Sequence, residues 1–303
     1  MKTSTSKRLR WNVAIWLAAG LFMTSTAGMA SGPIMPDPKA EARHQPQVEE
    51  TANGIPLVNI TAPSSGGVSR NEYETFNVPD KGAILNNSYT LSKTELAGYV
   101  QGNNNMAERP AKIIVNEVTG AGPTSMDGFL EVAGNRADVV IANPNGITVN
   151  GGGFINTGKA FLTTGKPVYD GEDHLQRFDI TGGDILIEGK GLGGKETGSL
   201  AILSRAVKIN AGIWAKDLHI TTGANSIDAK TLEASAIEGK GGHPAFALDT
   251  AAIGGMYAGR ITLVGTEKGL GVNNSGTWSA EDNLTLDWNG DLKNSGTIYS
   301  KGN

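Results

Sequence analysis

Residues 141–167 read IANPNGITVNGGGFINTGKAFLTTGKP, and this stretch is the most informative about the fold. Short apolar runs alternate with Asn, Gly and Thr, and Lys159 is the first charged residue. The apolar residues lack helical spacing, whereas Gly and Asn readily adopt the positive φ angles of tight corners. The stretch predicts stacked short β-strands joined at such corners, with a phosphate-binding loop as the alternative.

The composition fits a thin β-structure better than a thick globular core. The chain of 303 residues contains 42 Gly and no Cys, and 6% of its residues are aromatic. Glycine is thus at about twice its usual share. The net charge is −4, and no basic cluster is interleaved with aromatic residues, which argues against nucleic acid as a partner.

The first thirty residues have the plan of a secretory signal peptide. Four basic residues lie within the first ten, and an apolar segment at residues 13–23 follows them. This segment is too short to span a bilayer, and small residues follow it. We expect cleavage between Ala30 and Ser31, with Ala27 as the alternative site. The general secretion machinery of the inner membrane is therefore an expected partner.

The remaining chain is overwhelmingly β in character. Residues 31–50 contain four prolines and little apolar content, which predicts a flexible lead segment. Weak helix candidates occur only around residues 92–99 and 245–252. Short apolar runs ending in Gly, Asn or Pro predict strands. These runs are GIPLVNI, YETFNV, GAILNN and YTLS, followed by residues 111–118, 128–134 and 137–144.

An internal repeat appears near the end of the chain. The sequence NSGT at residues 274–277 recurs at residues 294–297, and Trp278 and Ile298 follow at the same phase. A period near twenty residues is typical of a β-solenoid, in which each short strand pairs with its counterpart one coil away. The corner interpretation of the opening stretch is therefore favoured.

The sequence GKGLGGKE at residues 189–196 resembles a phosphate-binding loop. Gly189, Gly191 and Gly194 match G-x-G-x-x-G, and Lys195 occupies the lysine position of a P-loop. However, Glu196 replaces the magnesium-binding hydroxyl, and the following residues predict a strand rather than a helix. We interpret this segment as a loop between coils.

No arrangement of residues points clearly to catalysis or metal binding. The histidines are isolated and lack metalloprotease spacing; they are His44, His174, His219 and His243. The carboxylates are scattered, although a β-helical polysaccharide lyase or hydrolase could assemble an acid and a base from adjacent coils. We predict no catalytic residue, no metal and no cofactor.

The ordered set GIPLVNI, GGVSRNEYETFNV, LAGYVQGNNNM, IIVNEV, FLEVAGNRADVVIANPNGITVNGGGFINT and LTTGKP resembles one known family. It is similar to the amino-terminal domain of two-partner-secretion exoproteins. These include filamentous haemagglutinins, related haemolysins and contact-dependent growth-inhibition toxins. The resemblance covers about residues 50–303. It implies an all-β fold, a right-handed parallel β-helix with an antiparallel cap at its amino-terminal end.

The resemblance also implies a function and a location. This domain acts as a non-enzymatic secretion signal, recognised largely unfolded by the periplasmic domains of a dedicated outer-membrane barrel transporter. The chain then folds at the surface of a Gram-negative bacterium, where the exoprotein contacts host or bacterial cells. Two alternatives stay open. One is a stand-alone adhesin for glycan or protein, and the other is the β-helical polysaccharide enzyme.

Two Asn-rich turns are the candidate site residues. From the residues alone they are simply turns, because Pro fixes φ and Asn tolerates the left-handed region. The resemblance makes the first of them a hallmark motif of the family. It is intact here as Asn143, Pro144, Asn145, Gly146 and Ile147. Its role is either to order a turn or to contact the transporter.

The second hallmark motif, normally Asn-Pro-Asn-Leu, departs from the family pattern. It appears here as Asn103, Asn104, Asn105 and Met106, so the proline that would preorganise the turn is missing.

Other positions predict the branch of the family and the limits of its domains. Some haemolysin-type members carry Cys-x-x-Cys where this chain has Val149 and Gly152, so the haemagglutinin-like branch fits better. We expect the secretion domain at residues 51–255 and the first repeats of a filamentous shaft at residues 256–303. Because the sequence stops within a repeat, we expect the front of a longer exoprotein or a truncated reading frame.

Overall fold

Short strands wind into successive coils, each of which hydrogen-bonds to the coils before and after it. The structure is a computed structural model that describes residues 32–106 and 109–302. Within these residues there are thirty strands and one 3₁₀ helix, Ala42–His44. No helix in the described part of the chain is long and apolar enough to cross a membrane.

The strand bounds follow in chain order. The first ten strands are β1 (Ile34–Pro36), β2 (Gln47–Glu50), β3 (Pro56–Asn59), β4 (Val68–Phe76), β5 (Ala83–Asn87), β6 (Ser92–Thr94), β7 (Gly98–Val100), β8 (Ile113–Val118), β9 (Thr124–Met126) and β10 (Phe129–Gly134). The next ten are β11 (Ala137–Ala142), β12 (Ile147–Val149), β13 (Gly152–Ile155), β14 (Thr157–Thr163), β15 (Lys166–Tyr169), β16 (Leu175–Ile180), β17 (Asp184–Ile187), β18 (Leu192–Gly194), β19 (Ser199–Ser204) and β20 (Ala206–Ile209). The last ten are β21 (Gly212–Thr222), β22 (Asn225–Asp228), β23 (Ala234–Ala236), β24 (Phe246–Thr250), β25 (Gly255–Gly265), β26 (Gly271–Asn274), β27 (Thr277–Ala280), β28 (Leu284–Trp288), β29 (Leu292–Asn294) and β30 (Thr297–Ser300).

The coils present three faces of parallel strands. The first face comprises β3, β5, β10, β13, β18, β27 and β30. The second comprises β4, β8, β11, β14, β19 and β28. The long strands β21 and β25 contribute their first halves to the first face and their second halves to the second. The third face comprises β9, β12, β17, β20, β24, β26 and β29.

The repeat of twenty residues corresponds to one turn of this coil. Thr277 pairs with Thr297, and Asn274 pairs with Asn294 on the next coil. The Asn274 side chain also donates a hydrogen bond from Nδ2 to Asn294 Oδ1 at 2.8 Å. The predicted parallel β-helix is therefore confirmed, with identical corner residues stacked directly on one another.

Inward side chains form a narrow aliphatic core along the axis of the helix. Residues at one register position stack coil upon coil, and each is fully buried. Such burial stabilises by about 1.5–3 kcal/mol per side chain, which explains how a chain with few aromatic residues builds a core. The stack on the second face is Ile141, Leu162, Ile202, Ile220 and Leu263.

The outer side of the second face is covered by a separate antiparallel sheet. It consists of β15, β16, β22 and β23, which belong to two insertions between coils. Phe178 of this sheet packs against the outward Phe161, with ring centroids 5.9 Å apart. The second face is consequently apolar on both sides, as a two-sided buried sheet requires.

The prediction of a flexible lead segment at residues 31–50 is wrong for residues 32–50. Strand β1 pairs antiparallel with β4, and β2 pairs antiparallel with β3, forming the expected cap. Ile34 is buried in the axial core, and Val48 packs against it. A few apolar residues suffice here because they only need to close the end of a narrow core.

Three local predictions also fail. Residues 92–99 and 245–252, the two helix candidates, contribute to strands β6, β7 and β24 instead. The segment YTLS at residues 89–92, predicted as a strand, is largely an irregular connection that enters β6 only at its last residue. For the two helix candidates, pairing with a neighbouring strand outweighs weak local preference. Residues 89–91 of YTLS, by contrast, have no strand partner within the described residues.

A cluster of charged residues ties the cap to the coils and to the outer sheet. Arg70 Nη2 lies 2.8 Å from Glu72 Oε1, and His44 Nδ1 lies 3.1 Å from the same oxygen. The Arg70 guanidinium also lies over the Tyr169 ring, 4.4 Å from its centroid. Glu117 Oε2 faces Arg70 Nε at 3.6 Å but makes no hydrogen bond.

Replacing Glu117 with Gln is expected to flatten the pH dependence of stability. Burial raises the pKa of the Glu117 carboxyl from 4.5 to about 7, so the folded state keeps a proton that the unfolded chain releases. Stability should therefore fall as pH rises through this interval, by up to about 3 kcal/mol. The other ionisable groups that affect this carboxyl are Arg70, Glu72 and Lys166.

Urea unfolding at about pH 5 and about pH 8 measures this effect. The fall in unfolding free energy between these values should be smaller for Glu117→Gln than for the unsubstituted chain. Glu49→Gln, at an exposed carboxyl on β2, is the control and should keep the full fall. An unchanged fall in Glu117→Gln would contradict the assignment.

Candidate functional site

The first Asn-rich turn forms a corner between the second and third faces. It begins at Asn143, directly after β11, and ends where Ile147 opens β12. The Gly146 amide donates to the Asn143 carbonyl at 3.1 Å, and the Asn143 amide donates to the Thr163 carbonyl on the next coil at 2.9 Å. Gly146 has φ of 110°, a region that a side chain would strain.

The side chain of Asn143 is fully buried, and both its oxygen and its nitrogen make hydrogen bonds. Its Oδ1 accepts from the Asn145 amide at 2.9 Å, while its Nδ2 donates to the Gly122 carbonyl and to Thr124 Oγ1, each at 3.0 Å. Asn145 Nδ2 also donates to the Gly120 carbonyl at 2.8 Å. These bonds attach the corner to the segment preceding β9 and to the start of β9.

The second turn repeats this arrangement without a proline. Asn103 Oδ1 accepts from the Asn105 amide at 2.9 Å, and its Nδ2 donates to the carbonyls of Ile60 at 2.8 Å and Asn86 at 2.9 Å. The Met106 amide donates to the Asn103 carbonyl at 3.1 Å. The side-chain amide group of the first asparagine therefore holds both turns in the same way.

Burial follows the same order in the two turns. The first asparagine of each is buried, and the turns deliver Met106 and Ile147 into the axial core. The second positions, Asn104 and Pro144, are exposed, as is Asn145. Contact with a partner by the folded domain could thus use only the second and third positions.

The structure does not bring the two turns together. The partners of the Asn103 turn lie near β3 and β5, whereas those of the Asn143 turn lie near β9 and β14. Within the described residues, no hydrogen bond or ion pair joins them. The arrangement has the character of two separate corners rather than one catalytic cleft.

Sequence reasoning missed the residues that hold the insertion around the second turn. Glu131 is buried, and its carboxylate accepts from the amides of Glu95 and Leu96 at 2.7 and 2.9 Å. Asn87 bonds the Ala111 amide and carbonyl, at 2.7 and 2.9 Å. A lone carboxylate inside the apolar run FLEVAG and paired asparagines ending AILNN were the available signals.

The other sequence candidates occupy ordinary structural positions. Gly189 and Gly191 have positive φ in a turn, and strand β18 follows rather than a helix. No group of three or more metal-binding side chains occurs in the described part of the chain. Each histidine has a different hydrogen-bond or ion-pair partner; the pairs are His44 with Glu72, His174 with Asp170, His219 with Thr221 and His243 with Glu267. The predicted cleavage site at Ala30 and Ser31 lies outside the described residues.

Because the turns share one geometry, proline should be tolerated at position 104. The Asn104 amide makes no hydrogen bond within the described residues, so Asn104→Pro should raise the unfolding free energy by about 0.4–1 kcal/mol. Pro144→Ala should lower it by a similar amount. Urea unfolding measures both. A destabilising Asn104→Pro would show that the two backbones differ.

The family model of the TPS secretion domain matches residues 33–298. Toxin CdiA of Yersinia pestis is 43% identical over 297 residues, which cover 90% of this chain and 9% of that protein. The 16S rRNA endonuclease CdiA of Enterobacter cloacae is 45% identical over 249 residues, covering 81% of this chain and 8% of that protein. The chain therefore spans less than a tenth of the length of these relatives.

A solved structure gives the same assignment. The crystal structure of the filamentous hemagglutinin secretion domain superposes with a TM-score of 0.77 and is 31% identical. The match covers 89% of this chain and 95% of that chain. The chain belongs to the TPS secretion domain family.

Proposed function

We propose that this domain targets a large exoprotein for export through a dedicated outer-membrane barrel transporter. The soluble periplasmic domains of that transporter would recognise the chain before it folds. The family assignment over residues 33–298 supports this role. It favours export over the two alternatives that the sequence left open, the stand-alone adhesin and the polysaccharide enzyme.

The observation that carries the proposal is the internal use of the motif asparagines. In the folded domain, the amide groups of Asn103 and Asn143 bond neighbouring coils. They are therefore occupied by the fold itself, and we infer that the motifs act by ordering corners. Direct transporter contact would then belong to the unfolded chain or to exposed Asn104, Pro144 and Asn145.

The order of folding suits outward transport. Each parallel strand pairs with a counterpart one coil earlier, so a coil leaving the transporter can add to the stack already outside. The cap would form first because β1 and β2 pair with nearby β4 and β3. Burial of each added coil would oppose backward movement, and this free energy could help to drive export.

We propose that the domain itself is non-enzymatic. The toxin and endonuclease activities named for the two relatives stay with those proteins, of which this chain matches only 8–9%. Host or bacterial cell surfaces would be contacted by the complete exoprotein, at the cell surface or in the medium. The effector and its target cell belong to that longer protein.

We retain the remaining assignments as proposals. A signal peptide at residues 1–30, cleaved after Ala30, would bring the chain to the periplasm through the general secretion machinery. Residues 51–255 would form the core of the secretion domain. Residues 256–303 would be the first shaft repeats, which the stacked coils of twenty residues support.

Secretion into the medium, measured with and without the partner transporter, tests the proposal. Release should require the transporter, and Asn143→Ala should reduce it several-fold because the buried Thr124 hydroxyl and the half-buried Gly122 carbonyl lose their donor, at about 1–3 kcal/mol. Asn104→Ala is the matched control, since its exposed side chain makes no hydrogen bond within the described residues.

The outcomes separate the possible roles. A turn-ordering role is supported if Asn104→Ala is released about as well as the unsubstituted chain while Asn143→Ala is released weakly. Loss of release in Asn104→Ala alone would instead indicate direct contact through the exposed position. Equal release without the transporter would overturn the export proposal.

A further inference from the structure

An elongated groove runs along the outside of the β-helix, and no residue of either asparagine turn lines it. It consists of three hollows of about 640, 1330 and 340 Å³. Arg136, at the corner between β10 and β11, lines the first two hollows. Phe129 and Phe154 line the second and third. The three hollows therefore form one continuous path.

One end of the groove is basic, although the protein as a whole is acidic. Arg109, Lys112 and Arg136 line the first hollow, and none of them makes an ion pair within the described residues. Arg136 Nη2 donates to the Thr157 carbonyl at 2.7 Å. Asp138 is the carboxylate among the lining residues, and its Oδ1 accepts from a backbone amide. The cations outnumber it.

The other end of the groove is aromatic with a flat glycine floor. Phe129, Gly153, Gly193 and Trp214 occupy one register position on adjacent strands of the first face. A Cβ at Gly153 would come within 2.4 Å of the Phe129 ring, so this ring lies across the glycine backbone. Phe129 is still 43% exposed, which leaves its outer side open.

The aromatic surface continues one coil further. The Trp214 and Tyr257 rings lie within 16° of parallel, with centroids 6.1 Å apart. Three strand spacings separate Phe129 from Trp214, or about 14 Å. Lys195 and Glu196 line the hollow between them and make no hydrogen bond or ion pair within the described residues. Two charged side chains that could hydrogen-bond a ligand thus border the aromatic rings.

The middle of the groove joins the basic end to the aromatic end and sets the length of a ligand that could reach both. One wall is formed by residues 91–96, which include β6, and the floor is formed by β10 and β13 of the first face. Strand β10 begins at Phe129 and ends at Gly134, and Arg136 lies at the corner two residues beyond it, so about 17 Å of strand separates the aromatic ring from that corner. A ligand would therefore need to be extended, with an anionic group some distance from its apolar surfaces.

We propose that this groove binds an acidic oligosaccharide. The C–H faces of its sugar rings would pack on Phe129 and Trp214, while its carboxylate or phosphate group would bind Arg136 and Lys112. A free anion would not use the aromatic end. A bilayer would not fit either, because Phe129 and Trp214 line a concave hollow. This site is separate from the export role.

Calorimetric titration of the purified chain tests the proposal with two acidic probes and their neutral counterparts. The first pair is tetragalacturonate and its methyl ester. The second is a phosphorylated lipopolysaccharide core oligosaccharide and its dephosphorylated form. At least one acidic probe should bind, with its neutral counterpart at least about tenfold weaker, the equivalent of one lost charge contact of about 1.4 kcal/mol.

Variants at each end of the groove should weaken this binding about tenfold or more. They are Phe129→Ala and the double variant Lys112→Gln with Arg136→Gln. Phe246→Ala and Lys208→Gln, exposed on the third face, are matched controls and should bind normally. Thermal unfolding checks the fold of each, and Trp214→Ala replaces Phe129→Ala if that variant does not fold.

Several results would overturn the proposal. These are no binding of either acidic probe, equal binding of the neutral forms, or equal losses in the third-face controls. Inorganic phosphate that binds as tightly as the probes would reduce the site to a simple anion site. Phosphatidylglycerol vesicles that bind where the oligosaccharides do not, and lose binding in the same variants, would make it a lipid site.

Discussion

Parallel pairing between successive coils is the constraint on which the rest of the structure depends. Each coil leaves its backbone groups unpaired until the next coil supplies partners, so no coil is stable alone. The pairing also fixes register, because a slip of one residue would turn the inward aliphatic stack outward. Identical or similar side chains then meet at each level, as Asn274 and Asn294 do.

Corners must satisfy this pairing while changing the chain direction three times per coil. Asparagine serves because one side chain can accept from an amide two residues ahead and donate to carbonyls elsewhere. Asn143 and Asn103 do this at separate corners, and Asn156 donates to the Val132 and Gly134 carbonyls with φ of 54°. The proline of the family motif therefore adds preorganisation rather than a contact.

Much of the fold could be predicted because its signals are local. The short apolar runs, the Gly and Asn corners and the period of twenty residues each follow from strand geometry. The family resemblance implied the cap, but its position at residues 32–50 could not be predicted, because these residues are ordered by the open end of a core built from distant sequence. The Arg70 cluster escaped prediction for the same reason, since it joins the cap, β4, β8 and β15.

The two asparagine turns could be recognised in the sequence, but their hydrogen bonds could not. The motif residues were found from their sequence, yet only the structure shows that Asn143 and Asn103 are buried donors to neighbouring carbonyls. The groove was invisible in the sequence because Phe129, Gly193 and Trp214 become neighbours only through coil register. That surface forms because side chains at one register position stack on successive coils, and their spacing in the sequence does not reveal it.

The most direct test compares refolding rate with transporter-dependent secretion across variants of the two turns. Refolding after dilution from urea and release into the medium would be measured for Asn103→Ala, Asn143→Ala and Asn104→Pro. If the turns act through folding, release should follow the order of refolding rates, with Asn104→Pro at least as fast as the unsubstituted chain. A variant that refolds normally but is not released would contradict the account.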